Sequence, residues 1–122
     1  MDSKVYREFI LNLNRNPKNK ERLSQFDIKE EGLNPHCGDK IELFLELEEG
    51  KINKVGWEGV GCAISQAASS LFTEEIKQKN INQVKAFNKN DMLDLLEIPI
   101  DYTREKCALL AFSTAKKALS DK

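Results

Sequence analysis

The sequence carries almost no net charge, because 19 Lys and Arg residues stand against 20 Asp and Glu and leave −1 at pH 7. No broad cationic field is available to gather phosphates, which counts against nucleic acid as a partner. Cysteine is scarce as well: Cys37, Cys62 and Cys107 are an odd number that cannot pair fully, and too few for a disulfide scaffold. No apolar run approaches the roughly 20 residues of a membrane-spanning helix. The opening Met-Asp-Ser-Lys-Val-Tyr-Arg-Glu has neither the cationic start nor the apolar stretch of a secretory leader. These absences predict a cytoplasmic protein with reduced thiols that engages neither membrane nor nucleic acid. With 122 residues there is room for one core, so residues 1–122 are expected to form a single domain, and 40% apolar residues can fill it.

What is present is a change of hydrophobic period along the chain. Val5, Phe9 and Leu13, with Ile10 beside them, lie at helical spacing and predict a helix over 3–14, stopped by the polar Asn14-Arg15-Asn16-Pro17-Lys18-Asn19-Lys20. Ile41, Leu43, Leu45 and Leu47 then alternate with Glu42, Glu46 and Glu48, the pattern of a half-buried strand. Glu49-Gly50-Lys51 reads as a tight turn into a second strand with Val55 and Trp57, and residues 26–32 as a weaker third strand that Gly32 ends. From Cys62 to Lys79 the period returns to 3.6, with Ile64, Ala67, Ala68, Leu71, Phe72 and Ile76 as the apolar stripe and Gln66, Ser69, Glu74 and Lys77 away from it. Residues 80–96 read as short helical pieces. Pro99 breaks the pattern, and Asp101 or Thr103 is positioned to cap a last helix to Leu119 whose stripe is Leu109, Phe112, Ala115 and Leu119. The expected fold is α+β: a small three-stranded antiparallel sheet with an N-terminal helix and several C-terminal helices packed on one face.

All three cysteines fall at junctions between these elements. Cys37 lies in the turn Asn34-Pro35-His36-Cys37-Gly38-Asp39, Cys62 follows Gly59-Val60-Gly61 and opens a helix, and Cys107 lies near the start of the last helix. Partly satisfied N–H groups and the helix dipole favour a thiolate at Cys62 and at Cys107, where Lys106 is a further cation. Three thiolates and the carboxylate of Asp39 make a tetrahedral set suited to zinc or to iron–sulfur chemistry. Residues 40–61 and 63–106 separate the donors, however, whereas local zinc motifs space their ligands a few residues apart. On spacing alone each cysteine is equally well a small buried hydrophobe, and Asp39 equally well a turn cap. His36, the one histidine, is expected to be exposed.

The motifs around these residues resemble the iron–sulfur cluster assembly family that includes IscU, SufU and the N-terminal domain of NifU. The matching pieces are Asn34-Pro35-His36-Cys37-Gly38-Asp39, Gly59-Val60-Gly61-Cys62-Ala63-Ile64-Ser65-Gln66-Ala67 and Arg104-Glu105-Lys106-Cys107-Ala108-Leu109-Leu110. Tyr6, Ile10 and Asn16-Pro17-Lys18-Asn19 are similar to the family's opening helix and turn. The resemblance implies a protein that takes sulfur, as a persulfide on one of Cys37, Cys62 and Cys107, from a cysteine desulfurase of the SufS, IscS or NifS type. In the IscU branch it implies a scaffold for a transient [2Fe–2S] cluster passed to recipient apo-proteins or carriers. In the SufU branch it implies Zn2+ held by three cysteines and an aspartate, with sulfur relayed and no cluster formed. In both branches the site is Cys37, Asp39, Cys62 and Cys107. Arg104-Glu105-Lys106-Cys107 has the SufU pattern rather than a histidine before the last cysteine, whereas the short stretch between Cys62 and Cys107 follows IscU. Ile98-Pro99-Ile100-Asp101 is a poor match to the segment by which IscU docks an Hsp70-type chaperone.

Overall fold

The computed structural model describes residues 3–97 and 100–122, so the expectations that rest on Ile98 and Pro99 lie outside the described residues. The order of elements is α1 (Ser3–Arg15), β1 (Ile28–Asn34), β2 (Asp39–Glu48), β3 (Lys51–Val60), α2 (Ala63–Ile76), α3 (Ile81–Ala86), α4 (Lys89–Leu96) and α5 (Glu105–Ala118), with a 3₁₀ turn at Tyr102–Arg104 before α5. The strands form one antiparallel sheet in the order β1–β2–β3. Ile41, Leu43 and Leu45 of β2 are buried, as their alternation requires. Glu48 pairs with Lys51 across a two-residue turn in which Glu49 and Gly50 both take positive φ, the geometry that matches strand twist in a short hairpin.

The helices cover the face that carries Ile41, Leu43 and Leu45, and one apolar cluster joins these residues to Trp57, Phe72, Met92, Leu96, Ala111 and Leu119. The sheet's other face is not bare. Phe44 is fully buried there, with the Phe26 ring 5.2 Å away and the Arg22 guanidinium 4.9 Å above it. Phe26 therefore lies ahead of β1 as part of an irregular cover, not within a strand.

β1 also runs past the glycine expected to end it. Gly32 pairs with Ile41, and a Cβ at Gly32 would overlap Thr114 Oγ1 of α5. Its role is to let α5 approach the sheet closely, not to terminate the strand.

The buried faces of three helices differ from the predicted stripes in instructive ways. On α1, Ile10 and Leu13 pack against Ala67 while Val5 stays exposed. On α2, Ser69, assigned to the outer face by pattern, is buried together with Ser65, Ser70 and Thr73. The polar connector after α1 lies over that side: Lys18 N–H donates to Ser70 Oγ (3.1 Å), Asn19 Nδ2 to Thr73 Oγ1 (3.2 Å), and Trp57 Nε1 to Lys18 O (2.8 Å). Satisfied hydroxyls are cheap to bury, so a serine-rich face becomes an interface. On α5, Cys107, Ala108, Leu110, Ala111, Thr114 and Ala115 are buried, and Leu109 and Phe112 only partly so. Neither Asp101 nor Thr103 caps α5 through its side chain; the 3₁₀ turn enters the helix through Arg104 N–H to Asp101 O at 2.8 Å. Among the described residues no helix is long and apolar enough to cross a membrane.

Candidate metal centre

Three junctions meet at one end of the sheet. The β1–β2 turn is closed by the Asn34–Asp39 pair and by Cys37 N–H to Asn34 O at 3.3 Å, with Gly38 at φ 69° to complete it. Cys37 is exposed on that turn. Asp39 has the same parity as Ile41 and Leu43, so strand periodicity turns its carboxylate inward, where it is 2% exposed. Cys62 ends the β3–α2 connection as the N-cap of α2, its Sγ accepting Ser65 N–H at 3.4 Å. Cys107 occupies the first turn of α5 and is fully buried.

A buried carboxylate must find donors, and Asp39 finds them on three elements. Oδ1 accepts from Cys62 N–H at 3.0 Å and from Ser65 Oγ at 3.2 Å, and Oδ2 accepts from Asn34 Nδ2 at 3.1 Å. Burial alone raises its pKa; the bonds from Cys62, Cys107, Asn34 and Ser65 outweigh burial and hold the carboxyl below its ordinary value of 3.8. The Cys107 thiol lies 3.3 Å from Cys37 Sγ as a donor. The ligating atoms of Cys37, Asp39 and Cys107 all lie within 4.8 Å of one another, and they are the one such group of side chains able to hold a metal ion among the described residues. Two sulfurs and one carboxylate oxygen on separate elements suit zinc or ferrous iron in chemistry and in separation.

Cys62 stands beside this trio, touching Cys107 but outside the mutual set. Its thiol is held below the ordinary value: burial raises it, and the hydrogen bonds from Ser65 N–H and from Cys107 more than compensate. Cys107 behaves in the opposite way to the sequence expectation. Burial pushes its thiol well up, and its single hydrogen, which has Cys37, Asp39 and Cys62 as acceptors within reach, pushes it further because only the protonated form can donate. Neither the helix start nor Lys106, whose side chain is exposed, reverses this. The cation that does face the sulfurs is Arg104. It hydrogen-bonds Cys62 and feels the charges of Cys62, Cys107 and Cys37, which together raise it above its ordinary value.

Residues 5–121 match the family model described as the NifU-like N terminal domain. The chain belongs to this family. It is 34% identical to the iron–sulfur cluster assembly scaffold protein IscU of Thermotoga maritima, over 94% of this chain and 92% of that protein. It is 30% identical to the zinc-dependent sulfurtransferase SufU of Bacillus subtilis, over 95% and 90% respectively. A crystal structure of a candidate iron–sulfur cluster assembly scaffold protein for the SUF system, from Fervidobacterium islandicum AW-1, superposes with a TM-score of 0.81 at 30% identity, over 92% of this chain and 94% of that one.

In this NifU-like domain the fold thus brings Cys37, Asp39 and Cys107 into one set, places Cys62 against its edge, and leaves His36 exposed on the turn. Three further residues of the site were missed or misread in the sequence. Ser65 had a local signal, its place three residues after an N-cap. Arg104 stands out in the sequence only as the first residue of the Arg104-Glu105-Lys106-Cys107 motif; its neighbour Glu105 pairs with Lys89, and the guanidinium is bonded to Cys62. Asn34 gave no sign beyond its place before a proline; it is 4% exposed, and its Nδ2 reaches Cys107 Sγ at 3.6 Å as well as Asp39.

Proposed function

We propose that this protein is an iron–sulfur cluster assembly protein that binds metal at Cys37, Asp39, Cys107 and Cys62, accepts persulfide sulfur from a cysteine desulfurase, and serves as scaffold for a [2Fe–2S] cluster delivered to recipient apo-proteins. The single observation that carries the reading is the convergence within 4.8 Å of the Cys37 thiol and the buried Asp39 carboxylate of one motif with the thiol of Cys107, which comes from a distant part of the chain. Scaffold relatives at 30–34% identity over nearly the whole chain support it. The site belongs to a single domain working in the cytoplasm, where reduced thiols persist.

The sulfur acceptor in this reading is Cys37, and its exposure, against a half-buried Cys62 and a buried Cys107, supports the choice. In that step its thiolate attacks the outer sulfur of the desulfurase persulfide. A new S–S bond forms on Cys37, the old one breaks, and the desulfurase cysteine leaves as thiolate, with no net change in oxidation state. Reduction of the transferred sulfur to sulfide takes two electrons from an external reductant. The Asp39 carboxylate is a hard donor among soft ones, which favours a site that opens again over one that stores its cargo.

A second reading, a zinc-dependent sulfurtransferase without a cluster stage, is favoured by Lys106, which stands directly before Cys107 and removes a histidine as ligand at that position. Anaerobic purification with metal analysis, followed by addition of desulfurase, ferrous iron and cysteine under visible absorption, separates the two. A growing cluster chromophore supports the first reading; stable zinc, no chromophore and faster desulfurase turnover support the second. Unchanged metal content and unchanged sulfur uptake in every one of Cys37→Ser, Asp39→Ala, Cys62→Ser and Cys107→Ser would overturn both.

A further inference from the structure

The two oxygens of Asp39 are engaged unequally. Oδ1 accepts the Cys62 N–H and lies within reach of the Ser65 hydroxyl, whose single hydrogen is shared with the Cys62 carbonyl at 3.0 Å. The same side is walled by Gly61, where a Cβ would overlap both Asp39 Oδ1 and Ser65 Oγ. Oδ1 is therefore enclosed by the start of α2. On Oδ2 the hydrogen bond comes from Asn34 Nδ2 at 3.1 Å. A carboxylate offers about four lone-pair sites; the Cys62, Ser65 and Asn34 donors claim three, two on Oδ1 and one on Oδ2, and the Cys107 thiol also reaches the carboxylate, a bond given up when that thiol ionises to bind metal, which leaves the open site on Oδ2. The orientation of the Asn34 amide follows from chemistry, since a carboxylate only accepts and the NH₂ end must face it. That same nitrogen lies 3.6 Å from Cys107 Sγ.

We propose that Asn34 is a positioning residue of the metal centre, its amide holding the Asp39 carboxylate and the Cys107 sulfur in register so that Asp39 binds a metal ion through Oδ2 alone. The inference rests on the reading above that Cys37, Asp39 and Cys107 hold metal. Groups that orient a ligand from behind set its geometry and affinity, and Asn34 orients two donors from two different elements. It is buried at the end of β1, so the sheet fixes it in turn.

The test uses the metal-free whole chain, titrated with zinc against a chromophoric chelator and, separately, loaded with Co(II) for its absorption spectrum. Asn34→Leu keeps much of the side-chain volume but no donor, and Asn34→Ala removes both. Each is expected to weaken zinc binding by about 10–100-fold. In both, the thiolate-to-cobalt charge-transfer bands persist while the ligand-field bands shift, a change in the oxygen donor that packing alone does not produce. Ser65→Ala, which touches the enclosed oxygen, loses less affinity than either. Wild-type zinc affinity together with wild-type ligand-field bands in Asn34→Leu would overturn the inference. If the unsubstituted protein takes up no stoichiometric metal, the reading beneath it falls first; if it binds metal and the Asn34 variants bind equally, only the inference falls. Should both variants fail to fold, Asn34→Ser, whose hydroxyl is too short to reach Oδ2, decides by the same two readouts.

Discussion

Cys37 and Cys107 lie 70 positions apart in the chain, yet their sulfurs stand 3.3 Å from each other, one exposed on a hairpin turn and the other sealed beneath it. The pair sets an accessible thiol against a buried one, and several consequences of that arrangement can be measured.

Oxidation of the metal-free protein is expected to link these two residues. Diamide takes two electrons and two protons from a thiol pair, and Cys37 and Cys107 are already in sulfur–sulfur contact. Peptide mapping under non-reducing conditions should find the Cys37–Cys107 crosslink with the mass of two hydrogens lost, and prior loading with zinc should suppress it. A crosslink to Cys62 as the main product contradicts the expectation.

Asp39 should make the metal-free fold dependent on acid pH. Its folded pKa lies below the ordinary 3.8, so its contribution to stability is fully present above that value and is lost as pH falls through the lower folded one. Asp39→Asn leaves the Cys62, Ser65 and Asn34 donors facing a poorer acceptor, at a cost of about 1–3 kcal/mol. The gap in melting temperature between wild type and variant should be widest near neutral pH and should narrow below about pH 4. A gap that widens in acid would show the sign to be wrong.

The three thiols should separate by reactivity. Cys62 is held low and Cys107 high, so iodoacetamide at pH 7 should label Cys62 at least about tenfold faster than Cys107 in the metal-free protein. The rate at Cys62 should also rise at a lower pH than that of an ordinary cysteine. Arg104→Ala should shift that rise upward, because the guanidinium bonded to Cys62 favours its thiolate. Lys106→Ala should leave it nearly unchanged. Equal effects from the two substitutions would deny Arg104 its separate role.

Gly32→Ala tests the close approach of α5 to β1. The added methyl overlaps Thr114 Oγ1, and overpacking of this kind costs about 1–3 kcal/mol, equivalent to a melting temperature lower by about 3–15 °C. Adding Thr114→Ala should recover part of the loss. If Gly32→Ala melts with the wild type, the strand and helix have room that the structure denies them.

The α1 helix, the β2–β3 hairpin and the run from α2 to α5 were legible because their signals are local: an alternation around Ile41, a Gly50 turn, a 3.6-residue stripe through Phe72. Gly32 and Ser69 were misread for the converse reason. A glycine that admits a helix looks the same in sequence as one that ends a strand, and a serine face covered by a connector looks the same as one facing water.

The sequence by itself determined the donor types, the three cysteine-centred motifs and the order of helices and strands, since composition, period and spacing are properties of neighbours along the chain. Only the tertiary structure decided that Cys37 is open and Cys107 sealed, that Arg104 rather than Lys106 faces the sulfurs, and that Asn34 holds Asp39. Desolvation and hydrogen bonding depend on which atoms surround a group in space, and for these residues the deciding atoms come from distant segments.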